Sequence, residues 1–426
     1  MIFKEALRSL KNSRSKAIFF ALTFFITTAL LFVYFNMAEA AGTEGEVYVS
    51  DNNLADIIQL LSKGNISNLM MVFVVIMCSI DLFFANDFFV KNKAKELAVR
   101  LICGATYIQL TMYLLIQTVI LLLVSIPLGI LTGFGLLHLF NMILAAGNTG
   151  MVIGISSFAM VEFISIMVFV VFVITLLNCS FAYKSGAVLL AGGNIGAMKK
   201  SGGYGFTNTK FFQLILNLIG IAAAVLPIAG FFRSSGGLAV MAIIACVGLD
   251  RTVTNVLIPA MNRYVRKTGT KSTKETAVTG FLRRDIQFSK ITIYLVLIDL
   301  IVLLSMLSGR ENNAVEELMI VFTFISISIM QWMTVMFRLE TDLSSRKKEY
   351  DILGQIGTDE STRTKIMHSE IFRFYLFAGI LTVIYLGTAL IASHTAQAPL
   401  LAAAAVIPLI AVAVTTDLYY RSVLKG

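Results

Sequence analysis

Charge is scarce in this 426-residue chain. Asp, Glu, Lys and Arg together make up 14% of it, whereas hydrophobic residues make up 57%. A soluble domain carries nearer a quarter charged residues, so an ordinary water-soluble fold is excluded, in keeping with a mean hydropathy of +0.83. Cysteine is sparse as well: Cys78, Cys103, Cys179 and Cys246 show no C-x-x-C or other ligand spacing, and neither a disulfide framework nor a metal site follows. His394 falls in a short loop without metal-partner spacing and is expected to face solvent. A phosphate-binding loop is missing too. "GGNIGAMKKS" (Gly192–Ser201) lacks the glycine directly before Lys-Ser/Thr that lets backbone amides wrap a phosphate. The chain itself is expected to bind no ATP and to carry no cofactor.

What the chain does have is apolar runs of roughly 20 residues, long enough to cross about 30 Å of hydrocarbon as helix. They begin near Ala17, Ser67, Tyr107, Ser157, Phe211, Gly236, Ile291, Glu316, Ile371 and Pro399, which predicts an all-α integral membrane protein of ten spans. Of the 34 Lys and Arg, Lys63, Arg233 and Arg310 fall on one side, Arg251 and Arg373 lie at span ends, and all the others fall on the opposite side. By the positive-inside rule both termini are then cytoplasmic. The formal net charge of +9 becomes a topology signal, with contact to anionic lipid heads, and implies no nucleic-acid partner. "AEAA" at Ala38–Ala41 imitates a signal-peptidase site, but the run Ala17–Tyr34 exceeds a signal h-region and reads as a retained first span.

The sequence repeats itself. Lys95-Glu96-Leu97 returns 253 positions on as Lys348-Glu349-Tyr350, Val99 as Ile352 and Gly104 as Gly357. "RSLKNSR" at Arg8–Arg14, before span 1, likewise parallels "RDIQFSK" at Arg284–Lys290, before span 7. Spans 1 to 4 (1–182) and 7 to 10 (263–426) therefore read as two parallel copies of a four-helix unit, joined by a Gly-rich linker and spans 5 and 6 (183–262). The sizeable outer loop, 41–65, is expected to hold a short helix in "SDNNLADIIQLLSKG" resting on the membrane surface.

Between spans 2 and 3, residues 91–105 form an amphipathic charged helix. Lys93, Glu96 and Arg100 share a face at i, i+3, i+7 spacing, Gly104 offers a stop, and "TYIQ" (Thr106–Gln109) is a capping box for the next span. Residues 343–357 repeat the logic, with Gly357 followed by the capping cluster Thr358–Ser361. A short helix set between two spans can transmit a push along both. That is the geometry of a coupling helix docked on a separate motor.

"KAKELAVRLICGATYIQL" resembles the signature of FtsX-like permeases, the membrane subunits of MacB-type ABC transporters, in which a K/R-E-x-x-V/I-x-x-x-x-G-A segment follows the second helix of each unit. The ten-span plan, "KKEYDILGQIG" and "YKSGAVLLAGGNIGAMKK" are most similar to its BceB-like, bacitracin-exporter branch. One departure is the connection between spans 7 and 8, only about "SGRENNAVEE", where that branch carries a large extracellular domain. The resemblance implies a multi-pass subunit of the bacterial cytoplasmic membrane and a separate cytoplasmic ATPase, two copies per permease, holding ATP and Mg. It also implies an amphiphilic substrate, either a peptide antibiotic or bacteriocin or a lipid-linked molecule, and leaves room for a sensor kinase. By position it assigns ATPase coupling to Lys93, Lys95, Glu96, Val99, Arg100 and Gly104, and to Lys348, Glu349, Tyr350, Ile352 and Gly357. Two alternatives are a non-transporting FtsX-type regulator of envelope enzymes and an ion-driven transporter working through Asp81 and Asp299.

Asp299 lies mid-span in "LVLIDLIVLL", where an ionised carboxylate costs at least about 2.5 kcal/mol. It is expected to face the bundle and to bond a neighbouring helix. Asp81 in span 2 is similar. Asp250 and Arg251, adjacent in span 6, point to different helix faces and are each expected to pair elsewhere or to sit at the inner interface.

Overall fold

The computed structural model describes residues 2–12, 14–42, 66–147, 152–190, 210–232, 238–268, 273–307, 314–345, 347–355, 357–395 and 397–425. Among these residues every regular element is helical: α1 (Ile2–Asn12), α2 (Arg14–Gly42), α3 (Ile66–Ile102), α4 (Tyr107–Ala146), α5 (Ser157–Leu190), α6 (Lys210–Phe231), α7 (Leu238–Thr252), a π-helical turn (Val253–Leu257), α8 (Ile258–Thr268), α9 (Thr273–Leu307), α10 (Ala314–Ser345), α11 (Lys347–Gln355), α12 (Glu360–Ser393) and α13 (Ala398–Lys425). The helix expected in the outer loop falls on residues 43–65, outside the described residues, as does most of the Gly-rich linker, 191–209.

Nine helices among the described residues are long and apolar enough to cross a membrane, and the protein is a multi-pass, all-α membrane protein. The remaining expected span, the fifth, is α6, whose described apolar section Asn217–Phe231 is shorter. The chain divides into two compact units, Met1–Gly202 with Asn312–Ser326 and Gly203–Glu311 with Ile327–Gly426. The sequence reading set spans 5 and 6 apart as a connector; in the structure α6 and α7 pack within the second unit. Residues Asn312–Ser326 of span 8 group with the first.

In the first unit α2 is the central helix, with Phe20, Phe24, Phe32, Tyr34 and Phe35 all buried. Its threonines are tolerated there because Thr23, Thr27 and Thr28 each donate to the carbonyl one turn back, at 2.7 to 3.0 Å, which satisfies the hydroxyl without water. Helix α4 approaches α2 through Gly129 and Gly133. A Cβ on either would stand 2.7 Å from Thr28 Cβ or 2.5 Å from Phe32 Cδ1, the small-xxx-small arrangement that lets helices meet closely in lipid. The opposite faces of α4 and α5 expose Leu123, Leu131, Val161 and Phe169, as a lipid-facing surface should.

In the second unit α7 crosses α6 at Gly248, where a Cβ would meet the Ala224 N at 2.3 Å and the Ala223 carbonyl carbon at 2.4 Å. Those neighbours are backbone and cannot give way. Tyr385 of α12 donates to the Ala224 carbonyl at 2.8 Å, tying α6 to the bundle. Proline explains another tie. Pro408 lies inside α13 and has no N–H to offer the carbonyl of residue 404; Ser328 Oγ of α10 donates to that Ala404 carbonyl at 2.9 Å instead. Trp332 Nε1, fully buried, donates to the next carbonyl, Ala405, at 3.0 Å.

Candidate functional site

The two repeated charged segments end in the same turn. After Arg100 the Gly104 N–H donates to the Leu101 carbonyl and the Ala105 N–H to the Arg100 carbonyl, both at 3.0 Å. After Leu353 the Gly357 N–H donates to Gly354 and the Thr358 N–H to Leu353, both at 3.1 Å. These are two Schellman caps at equivalent positions, and the glycine of each is left-handed, with φ +90° at Gly104 and +95° at Gly357. The next helix starts at once. Thr106 Oγ1 accepts from the Gln109 N–H at 3.4 Å while its own N–H donates to Gln109 Oε1 at 3.0 Å, the predicted capping box. In the second copy the Asp359 carboxylate caps α12, accepting from the Glu360 N–H at 2.9 Å and from Ser361 Oγ at 2.5 Å, and its carboxyl is held below the usual range by the Ser361 bond first and then the Glu360 amide.

Around each turn the following span is tied to the charged segment by a tyrosine and a glutamate, with their places exchanged. In the first copy Tyr113 of α4 donates to Glu96 of α3. In the second Tyr350 of α11 donates to Glu370 of α12. A third helix packs on each pair. Ser9 Oγ of α1 donates to Glu96 Oε2 at 2.7 Å, and Lys93 Nζ donates to that Ser9 Oγ at 2.6 Å. Arg100 bridges to Glu5 at 2.7 Å and stacks over the Tyr113 ring at 4.0 Å. In the second copy Arg284 of α9 bonds Glu349 at 2.7 Å, and the Phe281 ring lies 5.2 Å from that of Tyr350. Ser9 and Arg284 belong to the paired stretches Arg8–Arg14 and Arg284–Lys290, and Glu5 and Phe281 lie three residues before each.

Residues 91–102 prolong α3 without a break, and the stretch Arg284–Lys290 lies within α9, continuous with the span that follows it.

The expected docking residues divide accordingly. Val99 and Ile352 are exposed, at 60% and 50%, with Ile102, absent from the expected set, at 82% and Ile108 at 77%. Gly104 and Gly357 form the turns. Lys93 is 4% exposed and Tyr350 3%, so these two are internal struts and no docking contact is available to them. Glu96, Arg100 and Glu349 are partly exposed, but their charges are engaged within the chain. The side chains of Lys95 and Lys348 lie outside the described residues. Periodicity marked Glu96 and Lys93 as one charged face; it could not reveal that α1 covers that face.

The electrostatics follow from this packing. Burial alone would raise the Glu96 carboxyl, but hydrogen bonds from Tyr113 and Ser9 and the Lys93 charge outweigh it, and the group lies below the usual carboxylate range. Burial pushes the Lys93 ammonium down against the opposing pull of Glu96.

Of the intramembrane residues, Asp299 is fully buried and accepts a hydrogen bond from Gln331 Nε2 of α10. Asp81 is fully buried as well. Asp250 is bridged by Lys290 Nζ, which also reaches Thr254 Oγ1 at 2.8 Å in the π-helical turn. Arg251 is exposed, and its Cβ would stand 2.8 Å from a Cβ at Gly220. The four cysteines are free thiols, and His394 is an exposed, left-handed cap of α12 with φ +49°. Compared with known proteins, the chain matches no protein-family model and no curated protein sequence.

Proposed function

We propose that this chain is the membrane permease subunit of an ABC-type transporter of the FtsX-like kind. In this reading it couples ATP hydrolysis on a separate cytoplasmic ATPase, two copies per permease, to export or extraction of an amphiphilic substrate at the cell envelope. The observation that carries the reading is the pair of Schellman-capped helix ends at Gly104 and Gly357, each exposing aliphatic side chains beside a tyrosine–glutamate tie to the next span. A push on Val99 and Ile102 passes directly into α3 and, through the tight turn and the Glu96–Tyr113 bond, into α4. Ile352 acts on α11 and α12 in the same way. The exposed aliphatics would fill grooves on the motor, and desolvated apolar anchors dominate such contacts. The test is Val99→Asp with Ile352→Asp, expressed in the native host and purified beside wild type with any ABC-type ATPase that wild type retains. Both positions are exposed, so the chain should insert and fold while ATPase co-purification falls more than about tenfold, the loss expected of a central anchor. Undiminished co-purification and hydrolysis would remove the docking assignment.

A further inference from the structure

A groove of about 780 Å³ opens between α12 and α13 in the second unit. Its walls are apolar side chains along its length, among them Phe372, Leu376 and Val383, exposed at 61%, 49% and 62%. His368 and Asp417 close one end, bonded at 2.7 Å. The α13 wall runs from Leu409 to Leu418, about 14 Å at helical rise, close to the depth of one leaflet of a roughly 30 Å hydrocarbon core. Lys365 is exposed three residues before His368 and so continues the same helix face just beyond the groove's polar end.

We propose that this groove is a binding site for an anionic phospholipid of the leaflet nearer the chain's C-terminus, with the headgroup at Lys365 and His368 and an acyl chain between α12 and α13. Three features favour a lipid chain over a protein helix. Helices that associate in membranes present small residues at close approach, whereas this groove presents Phe, Leu, Ile and Val. Its one glycine, Gly379, already faces Leu409 across the floor, where a Cβ would stand 3.2 Å from Cδ2. The polarity is also confined to one end, as in an amphiphile. Asp417 is 15% exposed and bonded to His368, so the mouth shows little bare negative charge and the Lys365 ammonium sets its sign.

The experiment is native mass spectrometry of the full chain after equilibration with equal amounts of phosphatidylglycerol and phosphatidylcholine of matched acyl length. Wild type should retain phosphatidylglycerol preferentially. Lys365→Glu, at an exposed position that folding tolerates, should cut that preference about fivefold, the factor that one lysine near an anionic surface supplies. Ala413→Trp, which fills the groove, should lose the retained lipid of both kinds. Equal retention of the two lipids by wild type, or unchanged retention in both variants, overturns the site. A dimer of this chain that Ala413→Trp dissociates would give the groove to a second copy and overturn it as well.

Discussion

Tyr350 donates its hydroxyl hydrogen to the Glu370 carboxylate, and both side chains are buried. The pair joins α11 to α12, and in the first copy Tyr113 donates to Glu96 and joins α3 to α4, with the tyrosine on the following span instead. At the repeat offset Glu96 matches Glu349 rather than Tyr350, so each copy builds its tyrosine–glutamate tie between the charged segment and the next span from different positions.

Tyr350→Phe removes one donor from Glu370 at no cost in shape. A buried carboxylate that loses a partner is destabilised by about 1–3 kcal/mol, so the unfolding temperature in nanodiscs should drop by several degrees. Tyr113→Phe should cost less, because Glu96 is 34% exposed and water can replace the lost donor, whereas Glu370 is fully buried. Equal shifts for the two would show that burial does not set the cost.

Gly104→Ala and Gly357→Ala test the two turns separately from packing. Nothing lies within 4 Å of where either Cβ would stand, so only the left-handed backbone resists, at about 1–2 kcal/mol each. Each turn makes its own cap bonds, so the two costs should add in the double variant. Thermal unfolding of the three variants measures it, and no shift in either single variant would contradict the cap geometry.

Acidification should loosen the α1 clamp. The folded Glu96 carboxyl lies below its ordinary value, so its contribution is fully present above the unfolded pKa of about 4.3 and is lost as the pH falls through the folded one. The protection of the α1 amides relative to their intrinsic exchange rate, followed from neutral pH downward, should fall in that window. Glu96→Gln cannot titrate there and should show a flatter profile.

Asp299→Asn should unfold near wild type, because the amide is nearly isosteric and still offers an acceptor to Gln331. Asp299→Leu strands the Gln331 amide in a buried site and should cost about 1–3 kcal/mol. An Asn variant that folds and binds the ATPase yet loses substrate-stimulated hydrolysis would move Asp299 from a structural tie to a working group.

The membrane-spanning plan was legible in the residues themselves because hydrocarbon imposes a length of apolar helix that composition alone reveals. Helix ends were legible for a similarly local reason: Gly104, Gly357 and the box Thr106–Gln109 act within a few residues of chain. The sequence by itself therefore determined an all-helical membrane protein, its duplicated turn and the stop and start on either side of it. Which side chains are free to meet a partner was decided only by the tertiary structure. Lys93 and Val99 lie six positions apart on one helix, yet α1 seals the first at 4% exposure and leaves the second at 60%. The join of α6 and α7 to the second unit is of the same kind. It rests on Gly248 meeting backbone and on Tyr385 reaching a carbonyl 161 residues away, and such contacts exist only once distant helices have packed.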